Sequence, residues 1–381
     1  MPCSRVLVCL WLSAFFCCTT NPLGATNFDP GADPPYAAAI LIEAESGTSL
    51  FEYNAHVPRS PASTQKLLLK LVVMDLVAAG KFALDESVQV SAWASSMGGS
   101  QVYLKQGEVF SLEELMEAIA IHSANDACVA VAEYISGSVE GFVDLMNARA
   151  RELELLHTRC VNVHGLDDTP SNNGNLTTAH ELAQIARPLL LYPQVLEWSS
   201  IRRKPFRQGK FILNGTNKLV GRFKGLDGLK TGYTRRAGFC LVATAKRQNM
   251  RLISVVMGAP FEKVRDRETT RLLNWGFNTF AKVPLVQAGE SMGKVQLDWG
   301  LEPEVQVQAR DTVIAVLSPL QEKQLKREFQ LPAEHPAPVE AGQELGLLKV
   351  SMGDSLLAQV ELVAMKSVGR MGLWEMLLSY F

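Results

Sequence analysis

Three short strings combine residue types that can carry out nucleophilic chemistry: Ser63-Thr64-Gln65-Lys66, Ser123-Ala124-Asn125 and Lys230-Thr231-Gly232. If a helix begins near Ser63, a spacing of three puts the hydroxyl and the amine on one face, a turn apart. A serine hydroxyl is a weak nucleophile until a base takes its proton. Lysine becomes such a base once burial or a neighbouring cation lowers its pKa. The apolar Leu67, Leu68 and Leu69 supply burial, and the helix N-terminus offers backbone N–H groups to a developing oxyanion. Read alone, Ser63 is as well explained as a helix cap and Lys66 as a solvated charge.

Ser123 and Asn125 form a polar break in an apolar stretch, Ile121 to Cys128. A loop there would turn a hydroxyl and an amide into a cleft; an ordinary N-cap at Asn125 or Asp126 is the plainer reading. Lys230 offers positive charge for a carboxylate, and Gly232, followed by Tyr233, lets a substrate backbone approach closely; alternatively the string is a hairpin rim with a solvated lysine. What favours chemistry is that all three occur in this order, each at a joint between expected elements.

Those elements are read from periodicity. Ala37–Ala44 and Ser49–Tyr53 form a hairpin around Ser46-Gly47-Thr48. The mainly apolar run Leu67–Ala79, without breakers until Gly80, is a buried helix, and helical patterns recur at 112–121, 127–135, 142–155 and 178–191. Strand signals return at 210–213, 238–245 and 251–257, and 264–280 reads as an amphipathic helix. The expected fold is therefore an α/β (α+β) domain, an antiparallel sheet with a helical insert. After about Lys282 short alternating runs at 305–308, 313–317, 345–350 and 358–363 predict a small all-β domain.

On these residues the chain resembles the penicillin-binding proteins and serine β-lactamases, whose signature is S-x-x-K, S-D-N and K-T-G. Longer strings, Pro61-Ala62-Ser63, Asn125 to Ala130, Val163-His164-Gly165-Leu166-Asp167, Asp227 to Thr234, Arg251 to Gly258 and Leu273 to Phe277, are similar to the low-molecular-mass serine-type D-alanyl-D-alanine carboxypeptidases. The resemblance spans about Ala37 to Phe280 and, more loosely, the β domain and tail. It implies that Ser63 attacks the bond between two D-alanines of a peptidoglycan stem peptide while Lys66 takes its proton. The amides of Ser63 and Tyr233 would hold the oxyanion. Ser123 and Lys230 would relay a proton to the leaving amine, Asn125 would orient the substrate, and Lys230 with Thr231 would bind the terminal carboxylate beside Gly232. β-Lactams would inhibit by acylating Ser63, and no cofactor is needed. The middle string has Ala124 where the signature has Asp, and Tyr233 stands where histidine is expected. A β-lactamase would need a carboxylate to activate the deacylating water, and no Glu-x-x-x-Asn string lies between Ser123 and Lys230. A DD-endopeptidase differs only beyond the scissile bond; a sensor without turnover fits the intact strings poorly.

The remaining composition narrows partners and compartment. Of 381 residues, 47% are hydrophobic and 20% charged, enough to build a core, and the length suggests more than one folding unit. Residues 1–25 read as a secretory signal: Arg5, an apolar stretch from Val6 to about Cys18, then turn formers and small residues near Gly24 and Ala25. That predicts export to the periplasmic face of the cytoplasmic membrane, with a peptidase domain over 26–282 and the β domain over 283–364. Removing the signal takes away only Arg5 among the charges and leaves a slightly acidic chain, which gives nucleic acid no footing. Four of seven cysteines lie in the signal; Cys128, Cys160 and Cys240 remain, an odd number that rules out a full disulfide framework. The six histidines show no metal-ligand spacing. Residues 365–381 read as an amphipathic helix lying on the membrane, with Lys366 and Arg370 towards headgroups. Its 17 residues would span about 25 Å, short of a bilayer core of about 30 Å.

Overall fold

The computed structural model describes residues 28–167, 173–372 and 374. The expected signal, residues 1–25, lies outside them.

The sheet of the first domain has five antiparallel strands: β1 (Ala38–Glu43), β2 (Ser49–Tyr53), β3 (Leu226–Thr234), β4 (Gly238–Arg247) and β5 (Met250–Ala259), in the order β2-β1-β5-β4-β3. β1 and the middle of β4 and β5 are buried on both faces and are correspondingly rich in Ala, Val, Ile and Leu. One face carries the helical insert. Its centre is α1 (Lys66–Ala78), buried from Lys66 through Met74; a helix apolar all round belongs inside a domain. Around it lie α2 (Leu112–Glu117), α3 (Asn125–Ser136), α4 (Val139–Glu152), α5 (Ala179–Leu189) and α6 (Pro193–Ser200). The other face carries α7 (Glu262–Thr279), where Gly276 lies against Leu41 and Leu252 without room for a Cβ.

The expected hairpin, buried helix and helical insert are all present. β3 was not anticipated as a strand: two glycines, Gly228 and Gly232, lower its β-propensity, and only its place at the sheet edge, paired with β4 alone, accommodates them.

Beyond α7 the chain forms β6 (Ala281–Val286), β7 (Ser291–Asp298), β8 (Glu304–Ala309), β9 (Val313–Leu317), β10 (Leu325–Gln330), β11 (Glu334–Pro336), β12 (Glu344–Met352) and β13 (Ser355–Ala364). Six of them make one sheet, β10-β12-β13-β8-β7-β11, and β6 pairs with β9. A separate apolar core, including Val305, Val307, Leu348, Val350 and Leu362, lies beneath it. Lys282 ties the two parts by ion pairs to Glu43 and Glu45 at the end of β1.

The tail departs from the expected helix at its start. Val368 pairs with Val339, Arg370 with Gly300, and the amide of Met371 donates to the Trp299 carbonyl at 2.7 Å. Val368 is buried there, so backbone pairing and side-chain burial on the β domain win over helical periodicity. Leu373 and residues 375–381 lie outside the described residues. Among the described residues no helix is long and apolar enough to cross a membrane.

Candidate active site

The three strings converge at the junction of α1, α3 and β3. Ser63 sits in a single 3₁₀ turn, Ala62–Gln65, that leads directly into α1. The turn is entered through Ala62 in a left-handed conformation, φ 48°, uncommon for a residue with a Cβ. The packing that enforces it comes from Gly165, where a Cβ would stand 2.0 Å from the Ala62 carbonyl oxygen. That explains the glycine in Val163-His164-Gly165. The neighbouring His164 carbonyl accepts from the Ser63 hydroxyl at 3.5 Å, and the Gln65 amide donates to the Asn162 carbonyl, holding the same loop.

Ser123 also has a left-handed backbone, φ 65°, at the end of a π-helical turn, Ala118–His122, that breaks the run from α2. Such turns and such conformations concentrate at functional sites. The geometry aims the Ser123 hydroxyl between two fully buried amines: Lys66 Nζ lies 3.1 Å from Ser123 Oγ and Lys230 Nζ 2.9 Å from it. Lys66 also donates to the Ser123 carbonyl and to Asn125 Oδ1, each at 2.6 Å. Two of its hydrogens are thus committed to acceptors that hold no proton. What remains at Lys66 is either a third N–H towards Ser123 Oγ or, in the neutral amine, a lone pair.

Burial holds the Lys66 pKa below the usual lysine range, against the opposing influence of Cys128 and Asp126. Lys230 is lowered further, by burial first and then by the charges of Lys66 and Lys70. The sequence left burial or a neighbouring cation as the cause at Lys66; burial comes first there.

Asn125 braces rather than merely projects. Its Oδ1 takes a hydrogen bond from Lys66, its Nδ2 donates to the Gly98 carbonyl at 2.8 Å and its backbone N–H donates to Ser100 O at 2.7 Å. One N–H of the side-chain amide is left for a substrate. Asp126, which the sequence offered only as a cap, secures the same wall: its buried carboxylate accepts from the amides of Val102 and Leu104 at 3.0 and 3.1 Å. A buried acceptor finding main-chain donors some twenty residues away has no local signature, so pattern reading could not have revealed it.

On β3, period-two alternation puts Gly228, Lys230 and Gly232 on one face. A Cβ on Gly232 would stand 3.0 Å from the amide nitrogens of both Ser63 and Thr64. The glycine therefore lets the strand pass directly beside the head of α1. Thr231 donates to Thr216 at 2.7 Å, and Tyr233, 56% exposed, lies tilted against Phe239 with ring centroids 4.2 Å apart. All eight residues singled out in the sequence, Ser63, Lys66, Ser123, Asn125, Lys230, Thr231, Gly232 and Tyr233, thus line or adjoin one centre. Lys70, Asp126, Ser199 and Thr216 belong to its surroundings and were not singled out.

Comparison with known proteins gives the arrangement its family. The profile of the D-alanyl-D-alanine carboxypeptidases matches residues 32–261, and that of the C-terminal domain of penicillin-binding protein 5 matches residues 280–370. The chain belongs to the D-alanyl-D-alanine carboxypeptidase family. It is 35% identical to the carboxypeptidase DacF of Bacillus subtilis over 88% of this chain and 86% of the relative. It is 33% identical to DacC of Escherichia coli over 90% and 88%. Among solved structures, penicillin-binding protein 5 of Haemophilus influenzae superposes with a TM-score of 0.72 at 29% identity, covering 89% of this chain and all of that one. Penicillin-binding protein D2 of Listeria monocytogenes, solved in an ampicillin-bound form, superposes with a TM-score of 0.58 at 30% identity over 64% and 97%. The enzyme is a serine-type hydrolase of the carboxypeptidase class, with the α/β catalytic domain and C-terminal β domain of these relatives.

Proposed function

We propose that the enzyme removes the terminal D-alanine from peptidoglycan pentapeptides through an acyl-enzyme on Ser63. The observation that carries this reading is the Ser123 hydroxyl held between two buried, pKa-depressed lysines, beside a serine amide against which Gly232 is pressed. Neutral Lys66 takes the Ser63 proton as Oγ attacks the penultimate carbonyl. The oxyanion is held by the amides of Ser63 and Tyr233. As the tetrahedral intermediate collapses, the C–N bond breaks and Ser123, fed by Lys230, delivers a proton to the departing amine; the proton that Lys66 took passes back through Ser123 to Lys230. Lys66 then takes a proton from the water that cleaves the ester and returns it to Ser63. Lys230 and Thr231 hold the free carboxylate, whose negative charge favours the protonated form of Lys230; the spare N–H of Asn125 orients the substrate amide. β-Lactams acylate the same oxygen and inhibit.

The same reading places the mature chain, after loss of residues 1–25, on the periplasmic face of the cytoplasmic membrane, with a peptidase domain over 26–282 and a β domain over 283–364. Residues beyond the paired segment ending at Met371 would rest on the lipid surface, supported by the exposed Trp374 and the apolar composition of the tail.

The deciding experiment is incubation with a defined wall pentapeptide and mass spectrometry of the products. Free D-alanine and tetrapeptide are expected, and both vanish in Ser63→Ala together with the labelled-penicillin adduct. An adduct that survives in Ser63→Ala overturns the nucleophile. Release of monomers from cross-linked dimers at a rate matching pentapeptide trimming would instead make the enzyme an endopeptidase.

A further inference from the structure

A third buried lysine lies behind the site and has no part in the steps above. Lys70 follows Lys66 by one helical turn on α1 and is as fully buried as Lys66 and Lys230. Its hydrogen bond goes to the Ser199 hydroxyl on α6, at 3.4 Å. Ser199 in turn packs on β3: a Cβ at Gly228 would meet Ser199 Cβ at 3.3 Å and Oγ at 3.9 Å. Gly228 shares its strand face with Lys230, and Ser199, Thr216 and Lys230 together line a cavity with about 10 Å³ of room for a water-sized sphere. The cavity is polar enough to hold one water. A buried amine with one long hydrogen bond, in a wall shared with Lys230, is costly to keep unless its charge does something.

We infer that Lys70 is a positioning residue that acts on Lys230 through the Ser199 wall, opposing a full charge there so that Lys230 gains and loses its proton readily as the substrate carboxylate arrives and the leaving amine departs. This rests on the carboxylate-binding role proposed for Lys230. Burial lowers Lys70 to about 7, so its charge is present below neutrality and gone in alkali. The other titratable groups whose charges act on Lys66 or Lys230 are Cys128 and Asp126 on α3 and Arg265 on α7; His122 feels both lysines and His164 feels Lys66. Among the described residues, Lys70 is the cation acting on Lys230 that contacts neither Ser123 nor an ion-pair partner.

The test measures KM for the pentapeptide against pH in the full-length wild type, Lys70→Met and Ser199→Ala. Removing the competing charge favours the protonated form of Lys230, so the pH at which KM begins to rise moves upward by about half to one unit in Lys70→Met. The difference fades by pH 9, where Lys70 is neutral in the wild type. Ser199→Ala, which keeps the amine and removes its partner, shifts KM in the same direction by less, and decides the matter if Lys70→Met does not fold. Superimposable profiles, or a KM change of equal size at pH 6 and pH 9, would overturn the inference and leave Lys70 a packing residue. Failure of the wild type to trim pentapeptide or to be acylated at Ser63 would overturn the underlying function instead.

Discussion

At the scale of single residues the site is a contest over protons, and it is decided by burial. Because the Lys66 pKa is lowered, the neutral amine that serves as base accumulates as pH rises through that value; acylation by penicillin should therefore rise along the acid limb. Lys66→Arg keeps the charge and cannot readily surrender it, so acylation should slow by at least about a hundredfold, read as the second-order rate of adduct formation. Near-normal labelling would remove Lys66 from the base role. Ser123 makes a sharper test because its backbone is left-handed. Threonine keeps the hydroxyl, but a β-branched residue resists that conformation. Ser123→Thr should thus lose most of the pentapeptide turnover, while Ser123→Asn, which tolerates the backbone, should stay folded but inactive. Full turnover by the threonine variant would show that the strain is unimportant.

At the scale of elements, the α1 helix accepts a stability cost for what it carries. Lys70 has a folded pKa near 7 and an unfolded value near that of free lysine. Between those values the unfolded chain binds more protons, so this residue makes stability rise with pH from about 7 upward and contributes no further pH dependence below. Lys70→Met should accordingly be more stable than the wild type at pH 7 by about 1 kcal/mol or more, with the gain shrinking towards pH 10 in denaturant titrations. A constant difference across that range would assign it to packing instead. Gly165→Ala should cost both folding and acylation, since its Cβ would run into the Ala62 backbone that shapes the nucleophile turn.

Much of this was readable beforehand. Leu67–Ala79 could only be a buried helix, and the spacing of Ser63 and Lys66 suggested a common face. What escaped was set by tertiary contact: β3 is a strand because an edge tolerates its glycines, and Lys66 hydrogen-bonds Ser123 and Asn125 instead of the Ser63 beside it in sequence. Lys70 was one charge in a mainly apolar run, and its hydrogen bond to Ser199 on α6 had no local signal.

At the scale of the whole molecule, the end of the β domain governs how the tail can be cut. Val368 and Arg370 are paired into that domain, so a chain ending at Gly372 should remain folded, penicillin-reactive and free of membranes. One ending at Ala364 should lose several degrees of Tm in the β-domain transition. If the chain ending at Gly372 stays with the membrane fraction, the attachment lies elsewhere. The centre itself is equally a property of the whole: Lys66 and Ser123 are 57 residues apart, and Ser123 and Lys230 are 107 apart. No early, locally ordered fragment holds all three, because contacts at such separations form only after long loops have closed. Penicillin labelling is consequently a clock for the completion of folding: in a refolding experiment, reactivity should appear with the last cooperative phase, and a chain still threading or partly collapsed carries no reactive serine that a wall peptide or a drug could capture.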